Sequence, residues 1–277
     1  MSYIKMKLGI IAGNRLLPVL LTQSIKKNIR DSYVAAICFR GETRPQICKY
    51  VDKTYWIKVG SLTALRETIK REGLKEWIMA GQINPLRIFR RRDWDKELFH
   101  LIEGIRDFRP HNIFAEIIRY LEAEGVVFLD STVYLKEYLA QSGAMNGLSL
   151  NEQNNEDIEF GLKIISGFVE LDVGQTIVVK KKSVVALESL EGTDRTIKRA
   201  GRLAGCGCTI LKFSKAGQDK RFDIPVVGIS TLKLLKKIKA VAIVLEKEKV
   251  IILEKEKFLA RAKKWRISVV GKEKIKI

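Results

Sequence analysis

The sequence predicts an α/β fold of two domains, with a parallel sheet in its first half. Three observations carry this. The chain has 277 residues, about twice the length of a common domain. Hydrophobic residues at 46% and charged residues at 30% give a globular balance, which excludes disordered and fibrous classes. In the first half, short apolar runs alternate with segments of helical periodicity, as a parallel sheet covered on both faces requires.

Each element has its own reason. Residues 7–12 are an apolar run closed by Gly13-Asn14, a strand entering a turn. Residues 16–27 place Leu17, Leu20, Leu21 and Ile25 at helical spacing, and Pro18 fits a first turn. Residues 33–39 and 54–59 read as strands. Ser61 can cap a helix that reaches Arg71 and stops at Gly73. Residues 77–80 are a fourth strand, closed by Gly81-Gln82. Pro110 opens a helix to Glu124, and residues 126–129 follow as a strand. The polar, turn-rich stretch 141–155 is the expected connection, dividing the chain into domains at 1–131 and 132–277. Beyond it, helices are predicted over 157–169, 193–203, 230–238 and 255–265. Residues 176–180 and 184–187 form a hairpin turning at Lys181-Lys182-Ser183, and 209–213 is a strand. Residues 241–244 and 250–253 are strands about a charged turn, and 267–270 closes the fold.

Lys and Arg total 51 against 32 Asp and Glu, a net charge of +19. Residues 231–277 alone hold 15 basic and 5 acidic side chains. Such an excess favours nucleic acid, phosphorylated metabolites or an acidic lipid surface. The alternation of Lys and Glu at 246–249 and 254–257 equally suits a solvated surface. No apolar run reaches the ~20 residues that span a bilayer, and no cleavage site follows the first one. A cytoplasmic protein is expected. The four cysteines lack zinc-site spacing, so buried thiols in a reducing compartment are expected. Neither His100 nor His111 has a Ser or Cys at triad spacing. Arg87, Arg90, Arg91 and Arg92, with Phe89 and Trp94, could meet phosphate or RNA, or form a solvated basic face.

Two turns and one loop could hold chemistry. Gly13-Asn14 and Gly81-Gln82 both end strands, at the carboxyl edge where open α/β sheets bind ligands. Exposed N–H groups there could hold a phosphate, although neither dinucleotide nor P-loop spacing is present, and ordinary tight turns would look the same. Thr193 can cap a helix with Asp194 beside it. The loop 215–225 sets Asp219 and Asp223 four residues apart among Lys215, Lys220 and Arg221. That is equipment for Mg²⁺ beside a phosphoanhydride, or a turn with local caps and surface ion pairs.

In order along the chain stand Leu8-Gly-Ile-Ile-Ala-Gly-Asn14 with Leu17-Pro18, Ala80-Gly-Gln82 and Leu171-Asp-Val-Gly-Gln175. Glu191-Gly-Thr-Asp194 and Arg221-Phe-Asp-Ile-Pro225 with Gly228 follow. This ordered set resembles the UDP-2,3-diacylglucosamine pyrophosphatase family of lipid A biosynthesis (the LpxI type) across essentially the whole chain. The resemblance implies a Rossmann-like N-terminal domain, a family-specific C-terminal α/β domain and a nucleotide–lipid substrate held between them. It also implies Mg²⁺-assisted hydrolysis to UMP and 2,3-diacylglucosamine 1-phosphate (lipid X). By the same resemblance Asp223 is the essential acid and a metal ligand, and Asp194 a second metal contact. Gly13, Asn14, Gly81 and Gln82 would bind the UDP portion; Asp172 and Gln175 would line the domain junction, with Thr193 and Arg221 also at the substrate. Asp219, outside the matched string, is expected to matter much less. The chain departs from the pattern at Arg15, where a further small residue would be expected. The basic surface would favour peripheral contact with the inner membrane. No nucleic-acid partner is expected, since no RNA-reading motif is present; a homodimer is left open. The alternative readings are a nucleic-acid-binding module, motivated by the net charge of +19 and the arginine cluster, and a non-catalytic nucleotide-sugar-binding protein.

Overall fold

A computed structural model describes residues 6–84, 90–105 and 110–276. The chain divides into two compact units. The first holds the residues up to Leu135 together with Asp219–Asp223; the second holds Lys136–Gln218 and Ile224–Ile277.

In the first unit, strands β1 (Met6–Ala12), β2 (Ser32–Phe39), β3 (Lys53–Ile57), β4 (Glu76–Ala80) and β5 (Val127–Phe128) form one parallel sheet. Their order is β3-β2-β1-β4-β5, so the winding reverses between β1 and β4. Helix α1 (Leu17–Asn28) packs on β2 and β4. Helices α2 (Leu62–Glu72), α3 (Lys96–Glu103) and α4 (Pro110–Glu122) contribute Leu65, Ile69, Leu98, Ile102, Ile113 and Ile118 to a core with Ile37, Trp77 and Met79. The Trp77 ring lies over Gly9 of the adjoining strand, where a methyl group would sit 2.2 Å from it. Ser61 precedes α2 as expected, but its side chain caps nothing; Asp95 accepts instead from Thr63 N–H at 2.8 Å. A carboxylate from a later segment does the work expected of the local hydroxyl.

The second unit is built on a six-stranded sheet ordered β6-β13-β11-β9-β7-β8. These are β6 (Gly143–Ala144), β7 (Thr176–Lys180), β8 (Ser183–Leu187), β9 (Thr209–Lys212), β11 (Ala242–Glu246) and β13 (Ser268–Lys272). β9, β11 and β13 are mutually parallel, and β6 and β7 run against them. Alternation sorts the side chains by face. Leu211, Val244 and Val270 meet helix α5 (Glu152–Glu170). Ile210, Ile243 and Val269 meet α6 (Thr193–Ala204), α7 (Ile229–Lys237) and α8 (Lys255–Lys264).

Two expectations are corrected. Residues 141–155 are folded: Gly143 and Ala144 pair with β13, Asn151 caps α5 by accepting from Asn154 N–H at 2.8 Å, and α5 begins at Glu152. Their polarity reflects capping and an edge strand. The strands expected on either side of Glu246–Lys249 both form, in different sheets: β11 lies in the six-stranded one, and β12 (Ile251–Ile252) pairs with β10 (Val226–Val227) in a separate parallel ribbon. Only two cysteines, Cys38 and Cys208, are buried; Cys48 and Cys206 are exposed. Of the arginine cluster, Arg87 and Phe89 lie outside the described residues, and Arg90, Arg91 and Arg92 are exposed. Among the described residues no helix is long and apolar enough to cross a membrane.

Candidate active site

The carboxyl ends of β1 and β4, where the winding reverses, lie side by side, and ligands of such sheets bind at this point. The two polar turns interlock there. Gly13 N–H donates to Ala80 O at 2.8 Å and Asn14 N–H to Gln82 O at 2.6 Å. Gly81 has φ +86, and a Cβ on it would lie 2.6 Å from Asn14 O; one on Gly13 would lie 2.5 Å from Gln82 O. The glycines are therefore needed for the two backbones to touch. This corrects the expected use of the turn, since the Gly13 and Asn14 N–H groups are committed inside it and are not open to a phosphate. Asn14 Nδ2 donates to Glu42 Oε2 at 2.7 Å, while its buried Oδ1 has no hydrogen-bond partner among the described residues. The position following, Arg15, has φ 65, which accounts for the small residue expected there.

The loop carrying Asp223 is fastened to this same edge. Ser131, fully buried just past β5, has its hydroxyl 2.7 Å from the carbonyl oxygens of both Met79 and Arg221. Its N–H donates to Lys220 O at 3.0 Å. Arg221 donates from Nη2 to Asp219 Oδ2 at 2.7 Å and from Nη1 to Glu122 Oε1 at 3.0 Å. Phe222 packs on Phe114 with ring centroids 5.7 Å apart. Burial works to raise the Asp219 carboxyl, but the hydrogen bonds and charge of Arg221 hold it below the ordinary value. Asp219 and Arg221 are thus spent on each other. Asp223, whose N–H donates to Asp219 O at 2.8 Å, keeps a half-buried carboxylate with no hydrogen bond or ion pair among the described residues.

The remaining predicted residues belong to the second unit. Thr193 is not the cap of α6. Gly192 takes that place with φ 80, and the Thr193 hydroxyl turns inward to accept from buried Lys212 Nζ at 2.7 Å and donate to buried Glu188 at 3.1 Å. Asp194 sits in the first turn of α6 with a free carboxylate, where the helix dipole favours negative charge. Asp172 has φ 55 and pairs with Lys215 at 2.9 Å, and Gln175 holds a buried Oε1 with no hydrogen-bond partner among the described residues. The residues therefore fall into two groups: Gly13, Asn14, Gly81, Gln82, Arg221 and Asp223 in one unit, and Asp172, Gln175, Thr193 and Asp194 in the other. Among the described residues no three His, Cys, Asp or Glu side chains cluster as a metal cage.

Sequence reasoning missed Ser131, Glu122, Lys212 and Glu188. Ser131 carried a signal, since it follows a third strand at the edge already marked by two glycine turns. Lys212 carried another, as a lysine in an otherwise apolar strand.

The family described as LpxI N-terminal domain matches residues 7–138, and the LpxI C-terminal domain matches residues 141–270. A relative from Caulobacter vibrioides, UDP-2,3-diacylglucosamine pyrophosphatase LpxI, is 25% identical over 243 residues, 82% of this chain and 83% of that one. Among solved structures, the biotin carboxylase subunit of pyruvate carboxylase overlaps 71% of this chain at 14% identity, with a TM-score of 0.28. The biotin carboxylase domain of Hydrogenobacter thermophilus 2-oxoglutarate carboxylase does so at 12% identity and a TM-score of 0.28. This chain spans 32% and 41% of those two, a superposition too loose to bear on fold or function. With both family domains matched in order from residue 7 to residue 270, the chain belongs to the LpxI family.

Proposed function

We propose that this chain hydrolyses the diphosphate of UDP-2,3-diacylglucosamine, giving UMP and 2,3-diacylglucosamine 1-phosphate for lipid A biosynthesis. The observation that carries this is the match to both LpxI domains, joined by a relative that bears the activity in its name. The chain's own groups suit the chemistry. Cleaving a phosphoanhydride requires a fixed group to orient water and a counter-charge for the leaving phosphate. Asp223 offers a free carboxylate on a loop pinned through Ser131 and Arg221, so it can orient water or a cation without first reorganising. Mg²⁺ binds through one or two carboxylates, with waters and substrate phosphates completing its shell. The uncommitted carboxylate of Asp223 fits that role better than a closed protein cage would, and it is the residue of the first unit that would hold the ion. When bound, the ion supplies neutralisation of the diphosphate charge. The unmatched Asn14 Oδ1 is suited to accept a hydrogen bond from the nucleotide. Working on a lipid-linked substrate, the enzyme would act in the cytoplasm, in peripheral contact with the inner face of the inner membrane.

The test is direct. The purified chain, given UDP-2,3-diacylglucosamine and Mg²⁺, should release UMP; no UMP with any divalent cation would sink the proposal. EDTA should abolish turnover, and Mg²⁺ or Mn²⁺ should restore it. Full activity in EDTA would remove the metal from the account and leave Asp223 as the base alone.

A further inference from the structure

Four segments at one edge of the second sheet carry ten Lys or Arg residues and no Asp or Glu: 180–182, 202–207, 236–241 and 263–267. They are neighbours because β9, β11 and β13 all start at this edge and the β7–β8 hairpin turns there. Side-chain and backbone bonds make the surface continuous. Lys180 Nζ donates to Ala204 O at 2.6 Å, Gly207 N–H to Lys239 O at 2.9 Å, and Ser268 N–H to Val241 O at 2.9 Å. Lys236 Nζ lies 4.7 Å from the centre of the Trp265 ring. Nine of the ten cations are exposed, and Glu156 reaches one of them, Lys182, at 2.9 Å.

Helix dipoles explain part of this. α6, α7 and α8 all end at this edge, and a cation in a last helical turn is favoured. The dipole does not explain Lys181, Lys182, Lys239 or Arg266, which lie outside the helices. Each of these four has φ between 49 and 56, in the left-handed region that suits Gly or Asn. Folding alone would therefore choose otherwise at four adjoining positions, and each departure adds a positive charge to the same face. Leu203, 66% exposed, and half-buried Trp265 stand among them, the apolar and aromatic partners that interfacial surfaces use.

We propose that this edge of the second unit docks the protein on an anionic lipid surface. The choice of lipid over nucleic acid rests on the lipid-linked substrate proposed above. Each cation near such a surface contributes roughly fivefold to affinity, falling off with salt.

The test uses the full chain and vesicles of phosphatidylethanolamine with 30% phosphatidylglycerol, beside vesicles of pure phosphatidylcholine, without substrate. The informative variant combines Lys181→Asn, Lys182→Gly, Lys239→Gly and Arg266→Gly, which removes four charges while giving each turn the residue its backbone suits. Its melting temperature should hold or rise, so lost binding cannot be blamed on unfolding. Co-sedimentation with the anionic vesicles should fall several-hundred-fold and be abolished by 0.5 M salt. A control with Arg30, Arg44, Lys49 and Arg71 changed to Gln should keep its binding. Equal binding by the four-turn variant and the control, or no preference for anionic over neutral vesicles, would overturn the assignment. Tight binding to random-sequence RNA with none to vesicles would overturn it too. Both variants should release UMP from detergent-dispersed substrate as the parent does, so failure of hydrolysis would count against the proposed reaction and not against the docking edge.

Discussion

Asp219 and Asp223 sit four residues apart in one loop, yet their carboxylates are used differently. Asp219 receives the Arg221 guanidinium and backbone N–H, whereas Asp223 receives no side-chain bond from any described residue. Asp223→Ala should lower kcat by about 10³-fold with little change in melting temperature, because the carboxylate supports no packing. A near-normal kcat in folded protein would exclude it from the chemistry. The sequence alone made Asp219 a bystander, and its ion pair changes that expectation. Asp219→Ala should cost about 1–2 kcal/mol of stability and expose Lys220 and Arg221 to trypsin, with activity falling through loss of loop order. If Asp219→Ala keeps both its protection and its activity, the Asp219–Arg221 pair does not order the loop. Arg15 makes a third case. Its backbone lies at φ 65, so Arg15→Gly should relieve strain and raise stability by about 0.5–1 kcal/mol, read as a shifted denaturant midpoint. The matched motif strings picked out Asp223. They could not reveal how the loop is anchored, since Glu122 and Ser131, which hold Arg221, lie about 90 residues or more away.

Most elements were readable because their apolar pattern marks them: short continuous runs for strands buried on both faces, such as β1, β9 and β11, and a period of 3.6 for helices such as α2, α4 and α6. Partners were less readable. The β12 run looks like a hairpin mate of β11 until the β10 ribbon claims it, and no local pattern encodes that choice. Glu72, the last residue of α2, shows a similar long-range tie. Its nearly buried carboxylate accepts from Tyr33 Oη at 2.9 Å and from Tyr55, and pairs with Lys53 at 2.7 Å, joining α2 to β2 and β3. Burial would raise the Glu72 carboxyl, but the bonds from Lys53, Tyr55 and Tyr33 together bring it below the ordinary value. Burial and the Glu72 contact push the Tyr33 hydroxyl up to about 12. The signs follow from linkage. A depressed carboxyl adds stability above its unfolded value near 4.5, lost as pH falls through the folded one; a raised phenol adds stability below about 10, lost as pH climbs towards 12. The first unit should therefore loosen both below pH 4.5 and above pH 10. Glu72→Gln should flatten the acid limb and remove about 2 kcal/mol at pH 7, measured by urea unfolding. An unchanged acid limb would show that other carboxylates set it.

Over the whole molecule, composition and length anticipated two α/β units but not how thiols and charges are distributed between core and surface. Burial pushes the Cys38 thiol up to about 12 and raises that of Cys208 as well, while Cys48 and Cys206 face solvent. Ellman's reagent should therefore modify two thiols per chain quickly at pH 8, and two more only as the protein unfolds. Four fast thiols would mean that a core opens in the native state. The net charge of +19 was plain in the sequence, whereas its concentration at one sheet edge was not. That grouping follows from three parallel strands starting side by side, which a linear reading does not display.

The excursion of Asp219–Asp223 into the first unit also constrains how such proteins can recombine. A crossover between two relatives near residue 140 looks clean, since it falls between the two family domains. It would nonetheless give the chimera a loop from one parent and that loop's anchors, Ser131, Glu122 and Phe114, from the other. Hybrids that also transplant residues 219–223 from the donor of the N-terminal half should hydrolyse substrate where simple half-swaps do not. Heredity at this site is discontinuous: five residues travel with a partner they leave in sequence and rejoin only in the fold.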